Sequence, residues 1–388
     1  MSDQIEYRSF GTLLKKVIDN RGKTCPVVDK GIPLIATNCI SNNHLYPQFE
    51  KVRYVSSDVY QSWFRGHPEP GDMIFVLKGT PGRVAWVPNP VSFCIAQDMV
   101  AIRPDEKKLY PKYLFAVLRS KSIQQEIEGL HVGTLIPHFK KGDFDDLQIP
   151  IVGADLQRFI GDQYFDISSK IDLLHRQNQT LEAMAATLFR QWFVEEAQED
   201  WEERPLSSIA NFLNGLACQK HPPKNDLKKL PVLKIRELSG GISETSDWAT
   251  SEVKPEYIVE NGDVIFAWSA SLMVKVWDGE MCVLNQHLFK VTSADFPKWF
   301  YLMWCKHHLA EFISISASHA TTMGHIKRGD LDAAMVIVPH ENELKVMSEQ
   351  MTPLLDKQIS ISKQIQTLEK LRDTLLPKLM SGEVRLDS

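Results

Sequence analysis

No apolar run in the sequence approaches the roughly 20 residues needed to span a bilayer, and the opening MSDQIEYRSF has no signal-peptide pattern. Cysteine is sparse. Six residues (25, 39, 94, 218, 282 and 305) are scattered without a C-x-x-C pair, which argues against a zinc ribbon or a disulfide framework and points to a reducing cytoplasm. Net positive charge is missing as well, the formal value being −5. That deficit is local. Residues 1–150 hold 19 Lys and Arg against 16 Asp and Glu, whereas residues 151–204 hold 5 against 11. Net charge therefore neither supports nor excludes a nucleic-acid partner, and local clusters must decide.

Catalytic motifs also fail. Gly22-Lys23-Thr24 ends like a phosphate-binding loop, but Val17 stands where its first glycine belongs. Asn89-Pro90-Val91-Ser92-Phe93 imitates the Asn-Pro-Pro-Tyr of adenine methyltransferases without its second proline or its aromatic. Pro104-Asp105-Glu106-Lys107-Lys108 is a polar turn that mimics part of a nuclease motif, and His340-Glu341 has no histidine at 344. A catalytic chain is thus disfavoured.

What is present is a repeat. Residues 160, 164, 167, 171, 174, 178, 181, 185, 188 and 192 alternate steps of four and three and form a coiled-coil seam over a helix predicted for 155–197. Adding 187 gives a second seam on a helix predicted for 342–381. Gln179-Thr180-Leu181-Glu182 recurs there as Gln366-Thr367-Leu368-Glu369. The branched aliphatic seam positions include Ile160, Ile167, Ile171, Leu174, Leu181 and Leu188 in the first helix, and Leu354, Ile361, Ile365, Leu368 and Leu375 in the second. Each helix of about 40 residues would be about 60 Å long. Pro377 is expected to disturb the last turn of the second.

The parts before the helices repeat too. Short apolar runs (32–36, 73–77, 99–102 and 147–150) and a helix over 113–122 describe a mixed α/β head. Gly71-Asp72-Met73-Ile74-Phe75 answers to Gly262-Asp263-Val264-Ile265-Phe266. His138-Phe139-Lys140-Lys141-Gly142-Asp143-Phe144 answers to His325-Ile326-Lys327-Arg328-Gly329-Asp330-Leu331. The acidic stretch 195–205 is taken as the linker between the halves.

Candidate contacts follow from chemistry. Lys140, Lys141, Lys327 and Arg328 pair cations with a turn that can grip phosphates, with Thr134, His138, Thr321 and His325 as neutral donors; the alternative for each is a solvated turn before a helix, and recurrence in both halves favours the grip. Gln97 and Gln286 follow equivalent strands and can read adenine or brace a loop. Lys78 and Arg83, against Ser269 and Ser271, sit in equivalent loops that differ completely, as specificity loops should. Arg83 could read guanine or pair with a carboxylate. Asn20, Arg21, Lys23, Lys234 and Arg236 are similar candidates. Nothing resembles a metal site.

The two Gly-Asp-(Met/Val)-Ile-Phe strands, the two His-x-Lys-(Lys/Arg)-Gly-Asp turns, the two long helices and the ending Leu375-Leu376-Pro377-Lys378-Leu379-Met380-Ser381-Gly382-Glu383 resemble the specificity (S) subunits of Type I restriction–modification systems. The resemblance implies an α+β fold. Two similar α/β target-recognition domains (1–153 and 199–341) would be separated by spacer helices (154–198 and 342–388) in an antiparallel coiled coil with pseudo-twofold symmetry. It implies a non-catalytic, cytoplasmic, DNA-binding subunit that reads a bipartite, asymmetric double-stranded target. The chain would bind no cofactor and no membrane. It would hold two methyltransferase (M) subunits and two restriction (R) subunits, which bring S-adenosylmethionine, ATP and Mg2+. The competing reading is a coiled-coil scaffold that joins two protein-binding heads.

Overall fold

Strand Met73–Val76 is apolar on both faces because it separates two cores. Side chains alternate along a strand. Met73 and Phe75 enter a core with Tyr113, Phe115 and Phe144, while Ile74 and Val76 enter another with Ile35 and Ile95. Strand Val264–Ala267 does the same in the second head. Val264 and Phe266 join Trp299 and Phe300, and Ile265 and Ala267 join Leu233 and Leu284.

The computed structural model describes residues 6–20, 23–130, 137–318 and 324–380. It divides into two units, residues 1–173 with 367–388 and residues 174–366. In the first unit, one sheet runs in the order Leu14–Asp19, Met99–Pro104, Met73–Val76, Val84–Trp86, all antiparallel. A second joins Arg53–Val55, Ile32–Ile35 and Cys94–Ile95, the last pair parallel. Glu6–Ser9 pairs with Gln148–Ile151. The second unit has the same plan. Its four-stranded sheet runs Asn211–Asn214, Leu288–Thr292, Val264–Ala267, Met273–Val276. Its other sheet contains Lys229–Leu233 beside Cys282–Leu284, and Glu202–Pro205 pairs with Met335–Val338.

The repeated Gly-Asp has a structural task. Gly71 and Gly262 adopt φ of +89° and +97°, where only glycine is unstrained. The following carboxylates close the turn by accepting from Glu69 N and Glu260 N, each at 2.8 Å, and pair across the sheet with Arg103 and Lys290, each at 2.7 Å. The Asp72 hydrogen bond raises the Arg103 pKa above its ordinary value.

The first long helix covers Ala154–Arg190 and continues through one π-helical turn, Gln191–Glu195; the second covers Glu341–Met380. Every seam position in both is buried or half-buried. Within each unit the two helices run antiparallel. In the first, Leu376 and Leu379 share a core with Ile160 and Tyr164, and the Arg372 guanidinium lies 5.8 Å from the Tyr164 ring. In the second, Asn178 Nδ2 donates to Ser362 Oγ at 3.2 Å, a polar layer that fixes register. Each head also grips the helix that follows it. A Cβ on Gly161 would lie 2.6 Å from Tyr113 N, so glycine permits that close approach. The equivalent Ser348 instead accepts a hydrogen bond from Trp299 Nε1 at 3.0 Å.

Three local expectations change. The helix expected over 113–122 is two, Pro111–Leu118 and Lys121–Leu130. They are parted where buried Arg119 turns its guanidinium onto Val84 O (3.1 Å) and Ser41 O (3.0 Å). The acidic linker ends in a strand, anchored by buried Trp201, whose Nε1 donates to Glu343 at 2.8 Å. The second helix runs through Pro377, and through Pro353, each of which removes one i to i−4 hydrogen bond without ending it.

Candidate nucleic-acid interface

In the first head the Gly-Asp strand leads into Leu77 and Lys78, whose amides both donate to Asp98 O (3.0 and 3.3 Å). The segment carrying the basic turn zips onto the same edge. Gly79 N donates to Pro137 O at 3.0 Å, Phe139 N to Leu77 O at 2.9 Å, and Lys78 bridges to His138. The turn is shaped by Asp143, which accepts from Lys140 N at 2.9 Å. Lys141 Nζ reaches Asp19, at the end of strand Leu14–Asp19, at 3.0 Å. Lys78, Gln97, His138, Lys140 and Lys141, with Asp19 and Asp98, thus gather at one end of the four-stranded sheet. Arg83 lies across the adjoining hairpin, where Val76 N donates to Arg83 O at 2.9 Å, and its own guanidinium reaches Ile40 O at 3.4 Å.

The second head repeats the scheme with other side chains. Ala270 N donates to Gly324 O (2.8 Å), Ile326 N to Trp268 O (3.0 Å), and Ser269 bridges to His325. Asp330 accepts from Lys327 N at 2.6 Å, and Arg328 reaches Phe212 O at 3.4 Å. Ser269 Oγ lies 3.2 Å from His287 Nδ1, and Gln286 Nε2 lies 3.4 Å from His287 Nε2. Trp268 stacks on Phe289 and donates through Nε1 to Asn214 at 3.2 Å. Asn285 N donates to Leu233 O at 3.1 Å, which brings Lys234 to the same end.

Not every candidate keeps a free polar group there. Asn20 is buried, its amide donating to Ile95 O at 3.1 Å, so it braces the strand ends. Ser269 is buried behind His287. Lys234 pairs with Asp247, whose pKa is lowered chiefly by that hydrogen bond. Arg236 sits on the short helix Ile235–Gly240 and pairs with buried Glu237 at 2.7 Å. Lys23 and Ser271 are exposed. Arg21, Thr134 and Thr321 lie outside the described residues. Sequence reasoning missed Asp19, Asp98, Asn214, Trp268 and His287. The available signal was position, since Asp98 and His287 directly follow the matched glutamines. Among the described residues no cluster of His, Cys, Asp or Glu could hold a metal ion, and no helix is long and apolar enough to cross a membrane.

The family model described as Type I restriction modification DNA specificity domain matches residues 5–183 and again 198–370. The specificity subunit of the Type I restriction enzyme MjaIX from Methanocaldococcus jannaschii is 24% identical over 344 residues, covering 82% of this chain and 78% of that protein. The MjaVIII specificity subunit of the same organism is 24% identical over 324 residues, covering 75% and 74%. A solved S subunit of a Type I restriction–modification system from M. genitalium shares the fold, with a TM-score of 0.58 at 15% identity over 97% of this chain and 96% of that one.

Proposed function

Since this chain belongs to the Type I restriction modification DNA specificity family, with two copies of the domain in tandem, we propose that it reads a two-part, asymmetric DNA sequence, one half-site per head. It is a specificity subunit, the non-catalytic member of such a system. The recognition domains are residues 1–153 and 199–341, and residues 154–198 and 342–388 are the spacers that set the gap between half-sites.

One observation carries this reading. Both heads collect cations, a glutamine and a histidine at the same end of the same sheet, through the same backbone hydrogen bonds. Lys140, Lys141, Lys327 and Arg328 suit phosphate oxygens, which fix position and affinity. Gln97, Gln286, His138, His325 and Arg83 suit base edges, which carry sequence. The repeat supplies two equivalent surfaces for two M subunits. These bring S-adenosylmethionine and methylate adenine N6 on a base flipped from the duplex. Two R subunits bring ATP and Mg2+ for translocation and cleavage. A scaffold joining two protein-binding heads would have no use for matched cation turns.

The test is selection from a random duplex library by this chain bound to its M partner. Two short fixed blocks separated by a gap of constant length are expected. One uninterrupted block, or no enrichment, would overturn the proposal.

A further inference from the structure

Gln97 and Gln286 hold equivalent places, but the residue after each differs. It is Asp98 in the first head and His287 in the second. Both are half-buried in the turn that enters the central strand, and both main chains are pinned alike. Asp98 O accepts from Leu77 N and Lys78 N, and His287 O accepts from Trp268 N at 3.4 Å. Position is therefore shared while chemistry is not. A carboxylate only accepts hydrogen bonds. His287 is differently occupied, since Ser269 Oγ at Nδ1 and the Gln286 amide at Nε2 clamp its ring, so that it orients Gln286.

We propose that the residue following the shared glutamine sets base choice in each head, and that Asp98 makes the first head require an exocyclic amino group, cytosine N4 or adenine N6, at one position of its half-site. This rests on the reading of the chain as a two-head DNA reader. In the second head His287 is a positioning residue, acting through Gln286. The flanking cations Lys78, Lys140 and Lys141 supply the attraction that keeps a carboxylate tolerable near phosphates. A carboxylate set against a base edge without an amino group leaves two acceptors opposed. One such base contact discriminates about 5- to 150-fold.

The experiment uses the full chain with its M partner and maps methylated adenines for Asp98→Asn, Asp98→Glu and the parent. Asp98→Asn, which adds a donor, is expected to relax one position of the first half-site by about 5- to 150-fold, with the second half-site intact. Asp98→Glu is expected to keep the parental base. An unchanged first half-site in Asp98→Asn, or changes in both half-sites, would overturn the assignment. So would loss of all methylation in Asp98→Asn that Asp98→Glu does not restore. A parent that methylates no two-part sequence would instead overturn the two-head reading, and this inference with it.

Discussion

Replacing Lys140 and Lys141 together by alanine should flatten the salt dependence of DNA binding. Each cation that neutralises a phosphate contributes about 0.9 to the slope of log affinity against log salt. Lys140 is exposed and counts in full. Lys141 is shared with Asp19 at 3.0 Å, with their side chains 52% and 34% exposed, so a phosphate must compete for it. The expected change in slope therefore lies between about 0.9 and 1.8. From 50 to 200 mM salt the parent should lose about 3- to 12-fold more affinity than the variant. Removing Lys141 also leaves Asp19 facing the phosphates, so the variant should bind weakly at the lowest salt too. Fluorescence anisotropy with two unrelated labelled duplexes, titrated at stepped KCl, measures the slopes. Both duplexes should respond equally, because phosphate contacts carry no sequence information. Parallel salt lines for parent and variant would refute the phosphate grip.

Asp72→Ala strips Arg103 of its buried partner while leaving Glu69 at 2.9 Å, and should cost about 1–3 kcal/mol in urea unfolding. Ile361→Ala empties a fully buried seam position and should cost about 2–5 kcal/mol by the same measurement, whereas Leu371→Ala, at 47% exposure, should stay within about 0.5 kcal/mol. Lengthening the spacer needs both helices, because the second head is tied to the end of one and the start of the other. Phe193, near the junction, is buried against Trp201, Phe300 and Trp304. One heptad added at the level of Asn178 and one at Ser362 extends each helix by about 10 Å. Mapped methylation sites should then show a gap wider by about three base pairs at 3.4 Å each. An active variant with the parental gap would show that the helices do not measure it.

The periodic features were legible in the sequence because period is a local property. The seams needed only their steps of four and three, and the Gly-Asp strands announced themselves by a doubled motif. The convergence of the site was not legible. Lys78 meets His138 and Ser269 meets His325 across spans of about 60 and 56 residues, which only the fold closes. The apolar spacing over 113–122 did not show the break at Arg119 and Ser120, where the Arg119 guanidinium is buried on Val84 O and Ser41 O. Strand Glu202–Pro205 was hidden because its polar composition reads as linker, and its pairing with Met335–Val338 comes from the far end of the head. Asp98 and His287 directly follow the matched glutamines but share no side-chain chemistry, so the sequence marked their place and the hydrogen bonds that pin both turns showed it to be equivalent.

In the proposed function each head reads its own half-site. Exchange of residues 1–153 for the corresponding segment of a relative with a different target tests it most directly. Methylated adenines would be mapped for the hybrid assembled with its M subunits. A new first half-site, the parental second half-site and an unchanged gap are expected. A hybrid that methylates with both half-sites altered, or with neither altered, would contradict it.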